Sequence, residues 1–272
     1  MKIPLAKPFI PNTVLKEMKS LIKKGFLTEG NYTKEFEKYV KEFINCKYCI
    51  AFTSATTALE ATIRALNLKS NDEIIAPNFS YPATISPALI NNIKIKLIDV
   101  DINDYNICLK DLENNITKKT KAIIPVSVFG NSLQYDKLLK LKKKYNFKII
   151  EDAAAALGTS YKKKKVGNLA DFTIFSFHPR KSITTGEGGI VTTRKRSEAD
   201  WLKMFKSFGI LNNKKSKFEI VGSNLKMSNI NALFGIKQIQ IYKKILKKKK
   251  ILQRGILNNY LDVKIFKFKN LR

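Results

Sequence analysis

The chain has 272 residues, 44% of them hydrophobic and 27% charged, and its 51 basic against 22 acidic side chains leave a net charge of +29. That is the make-up of a soluble globular protein of one large or two ordinary domains, with chain enough for a full core. Three cysteines, an odd number, argue against a disulfide framework, and basic residues dispersed along the chain argue against a dedicated nucleic-acid surface.

No apolar run reaches the length of a membrane span, and the opening MKIPLAKPF lacks the apolar core of a signal peptide. A cytoplasmic location without membrane insertion is therefore expected. Cys46 and Cys49 form a CxxC, but there is no second such pair, and Cys49 opens the strand-like run CIAF. They read as core thiols, and no metal site is expected.

In chain order, an extended Pro-punctuated opening leads to a helix from about 12 to 24, then the loop GFLTEGN over 25–31. A second helix over 33–45 puts Phe36, Tyr39, Val40, Phe43 and Ile44 on one face, which is core. A strand over 49–52 runs into TSATTAL and a helix reaching residue 66. The small hydroxylated residues of that turn open a helix whose positive end suits a phosphate, with Thr56 as the candidate ligand and Ala55 beside it. Strands are predicted over 73–77, 94–99 and 122–128. The first exits through PNFSYPAT, where Tyr81 or Phe79 could stack on a flat heterocycle or simply pack in the core. A helix over 135–145 precedes a strand over 148–152, which ends in Glu151 and Asp152 and is followed by AAAALG. Strand–helix alternation of this kind implies parallel strands with right-handed crossovers.

A basic turn over 161–168 leads to a short strand over 172–175 and then to SFHPRKSITTGEGG, residues 176–189. Lys181 in this stretch is either a surface lysine in a Gly-rich turn or a nucleophilic amine. As a nucleophile attacking a carbonyl it would have to lose its proton, which confinement favours. Ser176 can donate to a phosphate, and Gly186, Gly188 and Gly189 let backbone pass close to a ligand. Asp152, at the carboxyl end of a strand where α/β sheets bind ligands, could pair with a protonated pyridine nitrogen. A strand over 189–193, a helix over 198–208 and a helix over 231–250 complete the reading.

SFHPRKSITTGEGG preceded by EDAAAALG resembles the DegT/DnrJ/EryC1/StrS family of pyridoxal-phosphate-dependent sugar aminotransferases. The resemblance implies an α/β protein of the type I aspartate-aminotransferase fold, acting as a homodimer in cell-surface polysaccharide or glycan biosynthesis. It implies that an amino group moves, with glutamate as the expected donor, onto a keto sugar carried by a nucleotide. Lys181 would hold the cofactor covalently and shuttle a proton, and Asp152 would keep the ring nitrogen protonated. Tyr81 would stack on the ring, while Ala55, Thr56 and Ser176 would meet the phosphate. GSNLKMSNINALFG, residues 222–235, is similar to a family stretch whose asparagine reaches the partner subunit's cofactor phosphate, which assigns that role to Asn224 in trans. The chain departs from the family pattern with Ala55 for glycine, Ala155 for a polar residue, Leu225 for tyrosine and Lys226 for arginine. It also has Ser127 where a histidine is common. A dehydrating subset of the family has histidine in place of the lysine, so Lys181 implies transamination. Residues 1–250 are expected to form the cofactor-binding domain and 251–272 the start of a truncated small domain. Alternatives left open by the sequence are an inactive or regulatory remnant of the fold and, on charge alone, an anionic-surface or nucleic-acid binder.

Overall fold

The computed structural model describes residues 6–210 and 217–261, with side chains of the last helix as far as Gly255. Seven strands form one sheet: β1 (Tyr48–Phe52), β2 (Glu73–Pro77), β3 (Lys94–Ile98), β4 (Thr120–Ile123), β5 (Lys148–Asp152), β8 (Phe172–Ser176) and β9 (Gly189–Thr193), in the order β1-β9-β8-β5-β4-β2-β3. Two short strands, β6 (Ser160–Tyr161) and β7 (Lys164–Lys165), make a separate antiparallel hairpin. Its two turn residues, Lys162 and Lys163, have φ of 44° and 68°, so the expected basic turn is a tight hairpin loop.

Neighbours from β3 across to β8 are parallel, as strand–helix alternation predicts, but β9 is antiparallel to both β8 and β1. The reason is the connection. β8 reaches β9 through the loop 177–188, with no crossover helix, and such a link returns the chain in the opposite sense. Every other strand therefore ends at one edge of the sheet, and β9 begins there.

The helices are α1 (Thr13–Lys24), α2 (Asn31–Ile44), α3 (Ala55–Ala65), α4 (Ser86–Ile90), α5 (Leu109–Asn115), α6 (Tyr135–Tyr145), α7 (Arg196–Phe205) and α8 (Asn229–Leu261). They cover both faces of the sheet. Alternation along β5 shows why: Ile149 joins a core with Phe36 and Val40 of α2, Leu138 of α6 and Tyr242 of α8, while Ile150 joins one with Leu59 of α3, Ala88 of α4 and Leu202 of α7. Strand β4 stops at Ile123, short of the predicted residue 128: Pro125 interrupts the ladder, a single bridge from Val126 to Asp152 follows, and Val128–Gly130 turns as a short 3-10 segment. Helix α8 passes through residue 250 and continues to Leu261. Gly235 lets it lie against α2, since a Cβ there would come within 2.4 Å of the Phe36 ring. Among the described residues no helix is long and apolar enough to cross a membrane, and no cluster of metal-ligating side chains occurs.

Candidate active site

The strand ends converge on Asp152 and Lys181. The Asp152 carboxylate is 6% exposed. Thr84 Oγ1 donates to its Oδ2 at 2.8 Å and Ala154 N–H to its Oδ1 at 3.1 Å. Burial pushes its pKa up, against the Thr84 and Ala154 hydrogen bonds and the positive charge of Lys181, which pull it down. Lys181 is half-buried, and its amine is pushed below the ordinary lysine value chiefly by that burial; Arg180 acts in the same direction and Asp152 opposes it. A buried carboxylate facing an amine with weakened hold on its proton is the pairing that Schiff-base chemistry needs.

Lys181 rides on a loop closed at its base. Phe177 N–H donates to Gly188 O at 2.9 Å, Thr185 N–H to Phe177 O at 3.0 Å, and Lys181 N–H to His178 O at 2.8 Å. Ser176, the last residue of β8, pairs with Gly189 and lines a cavity of about 150 Å³ together with Lys181, Ala154, Ala155 and Arg180. A larger concavity, about 810 Å³, lies at the opposite edge of the sheet beside Lys142, Asp171 and Arg194, and none of the candidate residues lines it.

The phosphate-type turn also forms. Ser54 caps α3, accepting from Thr57 N–H at 3.1 Å, while the Thr57 hydroxyl accepts from Ser54 N–H at 3.1 Å. Ala55 opens the helix, and Thr56 is exposed beside it. Gly189 brings β9 against this turn: a Cβ at that position would lie 2.4 Å from the Ser54 carbonyl and 2.5 Å from Ala55 N. The turn that could hold a phosphate and the strand that follows the lysine loop are thus in direct contact. The helical backbone at Ala55 accommodates its Cβ without a left-handed φ.

Tyr81 stands 70% exposed at the exit of β2, free to cover a ring, whereas Phe79 is committed elsewhere, with its ring 5.5 Å from Tyr105 and 6.5 Å from Phe129. Asn224 is exposed, its backbone bridged to Ser207, and the next residue, Leu225, accepts Thr53 N–H at 3.0 Å, so this segment runs beside the α3 turn. Lys226 places its ammonium 4.4 Å from the Phe208 ring centroid, a contact that does not require the planar fork of arginine. Asn229 holds the 25–31 loop, donating through its side chain to Phe26 O at 2.8 Å and through its N–H to Leu27 O at 3.0 Å.

Two features were not read from the sequence. Thr84, which holds Asp152, is one of many threonines, and no spacing marks it. Glu151, fully buried, accepts from Tyr135 OH at 2.5 Å, Ser127 Oγ at 2.7 Å and Thr173 Oγ1 at 3.2 Å. Ser127, to which the sequence assigned no role, is therefore a Glu151 ligand.

Comparison with known proteins agrees with this geometry. The UDP-4-amino-4,6-dideoxy-N-acetyl-beta-L-altrosamine transaminase of Campylobacter jejuni is 38% identical over 80% of this chain and 59% of its own length. The chain thus spans about three fifths of that relative. Helicobacter pylori PseC, an aminotransferase involved in the biosynthesis of pseudoaminic acid, superposes with a TM-score of 0.84 at 31% identity, covering 89% of this chain and 66% of its own. The E. coli GDP-4-keto-6-deoxy-D-mannose-3-dehydratase with bound hydrated PLP gives a TM-score of 0.90 at 24% identity over 97% of this chain and 74% of its own, which shows the fold alone. The residues present suit pyridoxal phosphate: a buried carboxylate for the ring nitrogen, a half-buried amine, and a hydroxyl-rich turn at a helix N-terminus for the phosphate. The profile of the DegT/DnrJ/EryC1/StrS aminotransferase family matches residues 9–263, and the chain belongs to that family.

Proposed function

We propose that this chain is the cofactor-binding part of a sugar aminotransferase, moving an amino group from glutamate onto the keto carbon of a nucleotide-linked sugar for polysaccharide or glycan synthesis. The observation that carries the reading is that Lys181, its hold on a proton weakened by burial, and the buried Asp152 lie near enough for each to feel the other's charge, at the ends of adjoining strands β5 and β8. When bound, pyridoxal phosphate would supply the electron sink for the pair left behind when a proton leaves the donor carbon. Asp152, oriented by Thr84 and Ala154, holds the proton on the ring nitrogen. Lys181 Nζ would be the amine that holds the cofactor and the base that would take the proton from the donor carbon and return it. Tyr81 covers the ring, and Ala55, Thr56 and Ser176 hold the phosphate.

Asn224 of a second copy completes the phosphate site in this reading, so the active species is a homodimer; the exposure of Asn224 beside the α3 turn supports it. In this reading residues up to 250 belong to the cofactor-binding body and 251–272 to a further unit, of which 262–272 lie outside the described residues. In support, among the described residues the last α8 side chains packed on the core are Ile245 and Leu246, whereas Ile251 and Leu252 are 59% and 65% exposed. The names of relatives such as the altrosamine transaminase support a nucleotide sugar as acceptor, and a cytoplasmic location follows from where such substrates are made.

The test is the visible spectrum of the purified chain loaded with pyridoxal phosphate. A protonated Schiff-base band that bleaches on addition of glutamate supports the enzyme. A band that glutamate leaves unchanged identifies a cofactor-binding remnant, and no band at all removes the cofactor from the reading.

A further inference from the structure

The loop that carries Lys181 leaves the sheet at Phe177 and rejoins it at Gly189, and its returning limb lies outside any strand. Thr184 on that limb is buried, 2% exposed, so its backbone N–H and C=O must find partners inside the protein. Both are met by one side chain of α8. Gln238 Oε1 accepts Thr184 N–H at 3.0 Å, and Gln238 Nε2 donates to Thr184 O at 2.5 Å and to Phe234 O at 3.0 Å. Two turns earlier on the same face of α8, Asn231 Nδ2 donates to Thr185 O at 2.6 Å.

A primary amide that offers acceptor and donor to the N–H and C=O of one residue reproduces the two-bond exchange of an antiparallel strand pair. An aliphatic side chain at position 238 would serve helix packing equally well, since Ile236, Ile239 and Tyr242 already supply the apolar face. Burying an amide is costly unless all its bonds are made. Here they are, and they lead to the lysine loop. From Thr184 the chain of contacts continues, because its hydroxyl donates to Phe177 O at 2.8 Å and accepts Gly186 N–H at 2.9 Å, fixing both limbs at once.

We propose that Gln238, assisted by Asn231, is a positioning residue for Lys181: it clamps the returning limb of the loop to α8 and so keeps the lysine amine in its half-buried place, within reach of the Asp152 charge. The inference rests on Lys181 being the reactive amine. The charged groups acting on that amine are Asp152 and Arg180; a loosened loop lets water reach it and moves it back toward the ordinary lysine range.

Competitive labelling of the cofactor-free chain with a limiting amine reagent across pH, read lysine by lysine by mass spectrometry, tests this without turnover. In the unaltered chain Lys181 is expected to have a lower labelling midpoint than the exposed lysines. Q238M keeps the volume and removes the amide; its Lys181 midpoint should rise by about half a unit, a roughly threefold loss of free amine below the midpoint, while the other lysines stay put. That selectivity separates positioning from general loosening, which would move many sites together. A folded Q238M with an unmoved Lys181 midpoint overturns the clamp. Should Q238M fail to fold, N231A, which alters a half-buried and more peripheral contact, must show a smaller rise of the same sign, and an unshifted midpoint there overturns the proposal. A Lys181 midpoint level with the other lysines in the unaltered chain overturns the reading of Lys181 itself, whereas a low midpoint untouched by Q238M overturns the clamp alone.

Discussion

Glu151 and Asp152 are adjacent carboxylic acids at the end of one strand, and they face opposite sides of the sheet. Glu151 points toward α6, where Tyr135, Ser127 and Thr173 all donate to it. Asp152 points toward the other face, where Thr84 and the Ala154 N–H hold it and Lys181 supplies a positive charge. Both are raised in pKa by burial before any other influence. What separates them is what remains unspent. A carboxylate has about four acceptor positions; three hydroxyls of its own core donate to Glu151, whereas Asp152 accepts two hydrogen bonds and feels the Lys181 charge. Strand alternation alone sends one acid into a hydroxyl-lined core and the other to the side where the Lys181 charge acts.

The largest effect expected on the Asp152 side comes from Lys181. K181A should abolish covalent cofactor attachment, and borohydride reduction followed by peptide mapping checks it; label on another lysine would show that the open acid serves a different amine. D152N comes next. It should still bind cofactor but lose about a hundredfold or more in turnover, since an amide cannot keep the ring nitrogen protonated as a carboxylate does. Steady-state kinetics of the loaded enzyme measure it, and near-normal transamination would remove the contrast between the two acids.

The smallest catalytic effect is expected from E151Q, which should instead alter stability and its pH dependence. Removing one buried acceptor costs about 1–3 kcal/mol if a hydroxyl is left unpaired. The sign with pH follows from the upward shift. A carboxyl whose folded pKa lies above its unfolded value contributes stability in full below that unfolded value, 4.5 for a glutamate, and loses it as pH rises through the folded value. The unaltered chain should therefore give up part of its stability as pH climbs above that range, and E151Q should flatten this portion of a urea-midpoint profile. An equal slope in both would mean that Glu151 is not the group titrating.

Much of the site is legible in the primary structure because it is local. Strands β2, β5 and β9 and helix α6 have the predicted bounds, since short apolar runs bounded by turn residues and a helical stripe are properties of neighbouring residues. Asp152 at a strand end, Lys181 in a glycine-rich return and the hydroxyl-rich entry to α3 are readable for the same reason. The antiparallel sense of β9 is not, because it depends on whether the loop after Lys181 crosses over or doubles back. The different surroundings of Phe79, with aromatic partners at Tyr105 and Phe129, and of exposed Tyr81 also needed the fold. Most of all, the partners of the two acids and of the lysine loop lie far along the chain: Thr84 is 68 residues from Asp152, and Gln238 is 54 from Thr184. The sequence by itself determined which residues carry reactive groups and on which elements they sit, since side-chain chemistry and periodicity are written residue by residue. Only the tertiary structure decided which of them face one another, because a hydrogen bond between distant residues is set by how the sheet and α8 pack.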